Sequence, residues 1–486
     1  MSTQDTEKLL QETLAKDESF RDSIGTIDDK GGRKWLFPKK PSGRFTDYRR
    51  YVSYFLLAIF FSFPFLRIDG QPMLMLNVLE RKFVIFGQIF WPADFFLFVL
   101  AAISGILFIA VFTVAFGRLF CGWICPQTIF MEHVFRRIEY WIEGDRNKQL
   151  KLSRMSWKNP EKLRKKGLKN VIFYAIAFLI SNFFLMYIIG NEAWWGIVSD
   201  PPSQHLAGLS AMIGFSGVFY FVFAWFREQV CIMVCPYGRL QGALLDRNSI
   251  VIAYDYLRGE KRGKFRKKED REALGKGDCI DCHQCVDVCP TGIDIRDGTQ
   301  LECINCTACI DACDSIMDKV GKPRGLIRYD SENNIAEGKK KIWTARVKAY
   351  SAVLVILLGI FGFLVASRSP VQAIFLRVPG QRFQKVDENR FSNAYNFKLM
   401  NKTPEQRAYH FQLLAPAGGS LRTAGDSLIQ VAPSKMAEGA VIITLPRQAL
   451  EGTSTDVEVA VYHQDKRIET IKTGFTGPLV SPSFQE

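Results

Sequence analysis

The stretches CIDCHQCVDVCP at residues 279–290 and CINCTACIDAC at residues 303–313 decide the fold of the segment that contains them. Each holds four Cys in the spacing C-x2-C-x2-C-x3-C. In this spacing three thiolates wrap one 4Fe–4S cube, while the fourth reaches the cube nucleated by the other stretch. The pair of stretches therefore predicts an α+β domain of ferredoxin type that carries two 4Fe–4S clusters.

Interleaving of the two stretches predicts which thiols share a cluster. The first cluster is assigned Cys279, Cys282, Cys285 and Cys313, and the second Cys289, Cys303, Cys306 and Cys309. Zinc ribbons use two C-x2-C pairs and not two triplets with a trailing Cys, which argues against zinc. His283 lies inside the first triplet, but four thiolates already suffice there. Asp314, rather than Pro, follows the last Cys.

A second Cys motif, C-x3-C-P, occurs twice outside this domain, in GRLFCGWICPQTIF and REQVCIMVCPYGRL. Each copy follows an Arg and a pair of apolar segments, so the chain contains a repeat whose motifs should face each other across a pseudo-twofold axis. Cys residues four apart lie on one face of a helix, so the four thiols are predicted to converge. A soft-metal site such as Cu(I), a redox dithiol and another cluster remain open. The four thiols belong to Cys121, Cys125, Cys231 and Cys235.

Five apolar segments are each about as long as the ~20 residues that a helix needs to cross a bilayer. They cover residues 48–66, 93–117, 170–190, 206–226 and 349–366. Together, with Arg, Lys, Trp and Tyr at their flanks, they predict five transmembrane helices.

Lys and Arg are distributed unevenly between these segments. Residues 1–50 hold 11, residues 118–169 hold 13 and residues 227–348 hold 22, whereas 67–92 hold three and 191–205 none. Since positive segments stay in the cytoplasm, the N-terminus is predicted inside and the C-terminus outside a bacterial inner membrane. Most of the net charge of +14 is then a topology signal and not a nucleic-acid site. The basic segments 136–169 and 258–271 are interpreted as solvated or lipid-facing surfaces.

The remaining sequence completes the domain plan. Short stretches rich in Val, Ile, Thr and aromatic residues recur after residue 370 and predict an antiparallel immunoglobulin-like β-sandwich without Cys. All 12 Cys lie between Cys121 and Cys313, in compact runs unlike a secreted disulfide scaffold. Residues 1–50 are polar, which predicts no cleavable signal peptide. The predicted units are a cytoplasmic segment 1–47, a four-helix transmembrane domain 48–250, the two-cluster domain 251–345, a fifth helix 346–369 and a periplasmic β-domain 370–486.

Other side chains are weaker candidates. Arg118 and Arg227 precede the C-x3-C-P motifs and are interpreted as stabilising the thiolates. His133 lies eight residues after Cys125, but is equally well explained as a surface residue. Met73, Met75 and His205, in the outer segments, are interpreted mainly as packing or surface residues.

These features resemble the cytochrome c oxidase accessory proteins of the CcoG/FixG/RdxA type. The resemblance covers nearly the whole chain: both C-x3-C-P motifs, the run RKFVIFGQIFWPADF at 81–95, the eight-Cys domain and the β-rich tail. It implies an oxidoreductase, a cupric reductase that converts Cu(II) to Cu(I) for copper delivery to a cbb3-type oxidase. It also implies oxidase assembly factors or a copper chaperone as partners, besides membrane lipid and an electron donor.

Two other functions remain open. A membrane ferredoxin that oxidises quinol for a periplasmic respiratory reductase shares the paired motifs and the two-cluster domain, but not the C-terminal β-domain. A non-catalytic assembly scaffold would use its clusters only to sense redox state.

Overall fold

The computed structural model describes residues 25–27, 31–68, 70–78, 82–90, 95–266, 269–271, 273–338, 342–380, 383–403, 405–433 and 435–478. They fall into two units, one within Met1–Phe65 and Phe98–Ile360 and the other within Leu66–Leu97 and Phe361–Glu486. The first unit takes in the two-cluster domain and the predicted four-helix domain, except for residues 66–97, which belong to the second unit.

Four helices are long and apolar enough to cross a membrane, among the residues described: Phe95–Phe116, Pro160–Ile189, Leu206–Phe226 and Ala345–Ala366. The helix Pro160–Ile189 begins where the Asn159 side chain accepts a hydrogen bond from the Glu161 amide at 2.9 Å. It ends at Gly190, whose φ of 85° is in the left-handed region that terminates helices. These helices support a membrane protein.

The first predicted span, 48–66, is helical but does not meet the requirements for a membrane-spanning helix. It forms the helix Arg44–Ser62 and a 3-10 turn, Phe63–Phe65. This helix is not among the four, because its first two turns carry Arg44, Asp47, Arg49 and Arg50. A count of five spans is therefore not confirmed.

The N-terminus of this first helix is anchored on the two-cluster domain. The Asp311 carboxylate accepts hydrogen bonds from the backbone amides of Phe45 at 3.0 Å and Thr46 at 2.7 Å. A carboxylate at this position satisfies unpaired amides and complements the positive end of the helix dipole. Asp311 itself belongs to the helix Ala308–Val320, which begins one residue before the third Cys of the second triplet.

Aromatic side chains form the core between the long helices. Phe135 stacks on Phe223 with ring centroids 4.5 Å apart, and Phe173 meets Phe135 edge-on at 4.9 Å. A buried hydrogen bond of 2.6 Å joins Ser181 and Ser216 across Pro160–Ile189 and Leu206–Phe221. The segment that follows the first C-x3-C-P motif and the two helices that precede the second are thus held in one core.

Short elements complete the first unit. Its antiparallel sheet pairs Val251–Tyr254 with Ile327–Asp330. The other helices are Leu119–Trp123, Pro126–Thr128, Arg136–Ile142, Arg146–Arg154, Asn191–Ser199, Pro236–Leu244, Tyr256–Gly259, Gln284–Asp287, Ala308–Val320 and Glu332–Glu337, with π-helical turns Ile129–Phe135, Val222–Phe226 and Val230–Val234 and a 3-10 turn Ile295–Asp297. The two-cluster domain is therefore α+β, as predicted.

Glu139 is the centre of a buried ionic network beside the long helices. Its carboxylate contacts Arg227 at 2.5 Å and Lys169 at 3.2 Å, and its side chain is 5% exposed. Burial by itself raises the pKa of Glu139, but the charges of Arg227 and Lys169 outweigh it and hold the pKa at about 2. Arg227 thus forms its ion pair with Glu139. This pairing does not support the predicted role of Arg227 in stabilising the thiolates.

Replacing Glu139 by Gln should destabilise the first unit by about 3 kcal/mol, because Arg227 would stay buried without its counter-charge. The measurement is the thermal unfolding midpoint in detergent. Glu161→Gln is the matched control, since Glu161 pairs with Lys165 on the surface, and its midpoint should hardly change. Equal midpoints for the two variants would contradict the role of the network.

The same network gives a pH dependence. The pKa of Glu139 is lower in the folded chain than in the unfolded chain, so its contribution is complete above about pH 5. The contribution is lost as the pH falls through about 4 toward 2. The parent should therefore lose stability over this range more steeply than Glu139→Gln.

The second unit contains a β-sandwich, as the sequence predicted. One sheet has the order Ser420–Thr423, Met436–Pro446, Arg390–Asn401 and Val371–Arg377, and Gln384–Asp387 also pairs with Arg390–Asn401. The other has the order Ile429–Val431, Arg407–Ala415, Ser454–His463 and Lys466–Thr476. All pairings are antiparallel. A 3-10 turn, Arg447–Ala449, precedes the strand Ser454–His463.

Alternate residues of the strands fill the space between the sheets. Tyr395, Val441, Ile443 and Val459 are fully buried in this shared core. The Tyr395 hydroxyl donates to the Gly474 carbonyl at 2.9 Å, which satisfies its polar end and ties one sheet to the other.

The segment between the first two apolar helices also forms strands in this unit. Arg67–Ile68 pairs with Gln71–Pro72, and a three-stranded sheet contains Leu74–Asn77, Lys82–Ile85 and Gln88–Phe90. Met75 is buried against Val84 and Ile89, so it packs, as interpreted from the sequence. These short strands were not predicted from the sequence.

Candidate functional site

The two Cys triplets have the same backbone conformation. Asp281 and His283 in the first triplet have φ of 53° and 55°, and the equivalent Asn305 and Thr307 have φ of 53° and 64°. A non-Gly residue in the left-handed region is uncommon, so two matching pairs mark a built loop. A helix begins one residue before the third Cys of each triplet, Gln284–Asp287 or Ala308–Val320. The internal symmetry predicted from the spacing thus extends to the backbone.

The eight Cys of the domain line two neighbouring cavities. The first, with about 350 Å³ of space not filled by protein, is lined by Cys279, Cys282, Cys285 and Cys313. The second, with about 320 Å³, is lined by Cys289, Cys303, Cys306 and Cys309, and also by Cys285. The structure therefore places Cys313 with the first triplet and Cys289 with the second.

The two cavities differ in exposure. Cys282 is exposed to solvent, and the His283 side chain beside it is 58% exposed. Cys306 and Cys309 are buried, and Ile252, Ile293, Ile295 and Ile304 complete the second cavity. The first cavity is thus the accessible one, and the second lies inside the protein.

Thiol chemistry at both cavities fits iron–sulfur ligation. Burial raises the pKa of Cys285 and Cys303 to about 12 and that of Cys306 to about 11. Such thiols are protonated at neutral pH until they bind iron, which releases their protons. Among the residues described, no three His, Cys, Asp or Glu side chains are placed to hold a single metal ion.

Replacing Cys306 by Ala should remove one cube and lower the iron content from about eight per chain to about four or fewer, because each cube needs four thiolates. Cys285 borders both cavities, so the remaining cube should also become less stable. Iron and acid-labile sulfide analysis after anaerobic purification checks this. A parent that contains zinc and no iron would refute the assignment of both cavities.

The two C-x3-C-P motifs also share one local structure. The amide of Cys125 bonds to the Phe120 carbonyl at 2.9 Å, and that of Cys235 to the Val230 carbonyl at 2.8 Å. Each Cys then caps a new helix that begins with Pro126 or Pro236. Proline forces the residue before it out of the helical conformation. The expectation that the two Cys of a motif share one continuous helix face is therefore wrong.

The four thiols nevertheless lie close enough to influence one another. Burial, together with the smaller contributions of Cys125, Cys121 and Cys235, raises the pKa of Cys231 to about 12. Burial raises the pKa of Cys121 to about 11, which the Arg118 guanidinium opposes. The two copies of the motif are therefore brought together, and the thiols of Cys121 and Cys231 are protonated at neutral pH without a metal. A single ion bound by all four would require the side chains to close around it.

Arg118 connects the two motifs and the second Cys set. Its side chain, 5% exposed, donates to the Gly238 carbonyl, the Leu301 carbonyl and the Gln241 side chain. Gln241, fully buried, contacts the Cys121 sulfur at 3.5 Å. The charge of Arg118 also lowers the pKa of Cys303, a ligand candidate of the second set.

The first C-x3-C-P motif packs directly on the loop that holds Cys306. Arg49, 4% exposed, donates to the Gly122 carbonyl at 3.0 Å and to the Cys306 carbonyl at 2.9 Å. Cys121 packs against the apolar cluster of Ile304 and Cys306. The loop around Cys306 and the thiol motif are thus held together by one buried cation.

The remaining candidates lie elsewhere. His133 is half-buried, and burial together with the charges of Arg49 and Arg137 lowers its pKa to about 3, so it is neutral. No hydrogen bond or ion pair joins His133 to the four thiols within the described part of the chain. His205 pairs with Asp200 at 2.9 Å on the surface. Arg49 and Gln241, which the sequence reasoning missed, carry no local signal, since their partners are far along the chain.

Comparison with known sequences gives matches over most of the chain. Family models match at residues 98–149, a 4Fe–4S binding domain, at 226–332, a 4Fe–4S dicluster domain, and at 361–478, the immunoglobulin-like fold at the C-terminus of FixG. The nitrogen fixation protein FixG of Rhizobium meliloti is 33% identical, covering 89% of this chain and 91% of that protein. Of two Cereibacter sphaeroides proteins, RdxB is 34% identical (81% and 84% covered) and RdxA 33% identical (87% and 92% covered).

Proposed function

This chain belongs to the FixG family of iron–sulfur membrane proteins, and on that premise we propose that it reduces Cu(II) to Cu(I) at the four C-x3-C-P thiols. The Cu(I) would serve the assembly of a cbb3-type cytochrome c oxidase. Electron transfer in a membrane is the broader function that the 4Fe–4S domains and apolar helices support. Copper is the substrate in this proposal and not a resident cofactor.

One observation carries the proposal: the buried Arg49 joins the backbone of Gly122, inside the first thiol motif, to that of Cys306, inside the second Cys set. A redox group bound by the second set would therefore lie next to the thiol site. The exposed Cys282 belongs to the first set, on the accessible side. Electrons would then enter at the accessible first Cys set, pass through the enclosed second set and leave at the four thiols.

Each residue group has a role in this scheme. A 4Fe–4S cluster, when bound, takes up or gives up one electron without moving a proton. The four thiols bind copper after losing protons, and thiolate ligands favour Cu(I) over Cu(II). Each Cu(II) would gain one electron from the reduced centre held by the second Cys set and become Cu(I); that centre would be oxidised by one electron and reduced again by the external electron donor. Arg118 holds the two motifs in one position.

The topology and domain plan are part of this proposal. The helix Arg44–Ser62 is taken as a fifth crossing, with the N-terminus in the cytoplasm and the β-sandwich in the periplasm. The sandwich would be the docking module for an oxidase assembly factor or a copper chaperone. The proposed boundaries are 1–47, 48–250, 251–345, 346–369 and 370–486.

Reporter fusions check the topology. A reporter that is active only in the cytoplasm should give a signal when it is attached after residue 330, because Lys and Arg retain the segments before residue 348 inside. The same reporter attached at the C-terminus should give no signal, since the C-terminus is expected in the periplasm. An outside signal at residue 330 would contradict the proposed location of both Cys sets.

The test of the function is a single-turnover assay. Protein purified without oxygen is reduced with dithionite, separated from it, and mixed with Cu(II) and a Cu(I)-specific chelator. Two one-electron centres should yield about two Cu(I) per chain. Protein that keeps its iron and is reoxidised by a quinone but not by Cu(II) would instead support the quinol-linked function. Protein that reacts with neither would support the scaffold.

A further inference from the structure

The basic segment that follows the second thiol motif folds back on the first Cys set. The Gly263 amide donates to the Cys279 carbonyl at 3.2 Å, and the Gly277 amide donates to the Lys261 carbonyl at 3.0 Å. Residues 258–276 contain nine Lys and Arg against four Asp and Glu. This excess of positive charge is therefore placed at one of the two cavities and not on a free tail.

A buried cation fixes the position of this segment. The Arg271 guanidinium, in a residue 5% exposed, donates to the Cys279 carbonyl at 3.0 Å, the Gly263 carbonyl at 3.0 Å and the Gly277 carbonyl at 2.6 Å. Three bonds of this kind satisfy most of the donors of one guanidinium. The segment is thus built into the wall of the first Cys set.

Lys261, Lys264, Phe265 and Arg266 are exposed residues of this segment that lie close together in the sequence, and we call them the basic collar. Lys261 and Lys264 form no ion pair with any residue that the structure describes. Phe265 is 40% exposed among these cations. Exposed aromatic and Arg side chains are enriched in protein interfaces, whereas a purely solvated surface has no need of the aromatic ring.

Three acidic groups near the collar are paired with Arg side chains. Glu260 pairs with Arg262 at 2.7 Å, Asp278 with Arg258 at 2.6 Å, and Asp281 with Arg296 at 2.6 Å. Arg296 also lines the first cavity. The unpaired Lys residues therefore set the sign of the charge around the accessible cavity.

We propose that the basic collar is the docking surface for an acidic electron-carrier protein that delivers electrons to the first Cys set. This rests on the electron-transfer part of the proposed function and names the class of the donor. The carrier is oxidised by one electron and the centre held by Cys279, Cys282, Cys285 and Cys313 is reduced by one, with no bond formed or broken. A positive rim beside the exposed Cys282 steers a negative partner to the one accessible thiol of the set.

An anionic lipid surface is the competing occupant of a basic segment. A bilayer lying on the collar would cover the neighbouring first set, which contains the exposed Cys282. An acidic protein instead uses that exposure. The protein partner is for this reason the one that the arrangement favours.

Binding, and not activity, provides the primary test. The probe is oxidised flavodoxin, an acidic flavoprotein, titrated against the full-length protein in nanodiscs of zwitterionic lipid. The double variant Lys264→Glu/Arg266→Glu should raise the Kd about tenfold at low salt, since two charges at the contact are reversed. The ratio of the variant's Kd to the parent's Kd should fall toward one as the salt concentration rises, because salt screens the charges. Lys158→Glu, an exposed cation elsewhere in the first unit, is the control and should bind as the parent does.

Several outcomes would overturn the proposal. They are a double variant that binds as tightly as the parent, a control that weakens as much as the double variant, and no binding by the parent at all. Loss of the parent's binding in nanodiscs of anionic lipid would show that lipid occupies the collar. Iron content measured in each sample excludes a folding defect as the cause. Copper plays no part in the titration, so failure here leaves the Cu(II) assay of dithionite-reduced protein to judge the proposed function separately.

Discussion

Replacing Cys125 and Cys235 together by Ser should lower the rate of Cu(II) reduction at least about 100-fold, while the iron content stays at the parental value. A hydroxyl does not replace a thiolate as a ligand for Cu(I), so the site would lose one soft ligand from each motif. The eight Cys of the two cavities are left unchanged. The measurements are Cu(I) formed after mixing dithionite-reduced protein with Cu(II), and iron per chain.

A matched control lies one residue away in each motif. Ile124 is 43% exposed and Val234 60% exposed, so Ile124→Ser/Val234→Ser adds the same two hydroxyl groups without removing a thiol. This control should reduce copper at nearly the parental rate. A parental rate for the Cys variant would mean that copper reacts elsewhere. Loss of iron from it would instead identify a third cluster, in agreement with the 4Fe–4S family model that matches residues 98–149.

The Cys spacing predicted more of the site than any other feature. Two triplets with a trailing Cys can enclose two cubes only if the fourth thiols cross over, and the cavities place Cys313 and Cys289 accordingly. The repeat of C-x3-C-P also predicted correctly that the two motifs come together. Both predictions rest on covalent connectivity and on chemistry that few other arrangements satisfy.

The helix geometry of the thiol motifs could have been predicted better. Proline after each second Cys restricts Cys125 and Cys235 to an extended conformation, with ψ of 124° and 112°. The i, i+4 rule assumes one uninterrupted helix and so does not apply. The membrane span predicted at residues 48–66 is likewise not confirmed, because Arg49 within it has a buried polar role.

Contacts between distant segments could not be predicted from the sequence. Arg49 and Cys306 are 257 residues apart, and nothing local distinguishes Arg49 from the neighbouring Arg50. The basic segment 258–276 illustrates the same limit, since its charge was evident but the bonds of Gly263 and Arg271 to Cys279 were not. Such contacts depend on how the membrane helices and the two-cluster domain pack, which single-sequence patterns do not encode.

Gly122 offers the sharpest test of that packing. A Cβ added at Gly122 would lie 2.5 Å from the Ile304 carbonyl oxygen and 2.7 Å from the Asn305 carbonyl oxygen. Both are backbone atoms, so they cannot move aside as a flexible side chain would. Gly122→Ala should therefore push the thiol motif away from the loop that holds Cys306.

The expected result is that Gly122→Ala reoxidises with Cu(II) about 100-fold more slowly than the parent, since a displacement of about 1 Å can cost that much in a positioned reaction. Its iron content should remain near that of the parent, because no Cys is changed. Stopped-flow absorbance of the dithionite-reduced protein after mixing with Cu(II) gives the rate. Gly167→Ala, where an added Cβ meets nothing within 4 Å, should react at the parental rate. If Gly122→Ala reacts as fast as Gly167→Ala with full iron, electrons do not pass from the second Cys set to the thiol motif through this contact.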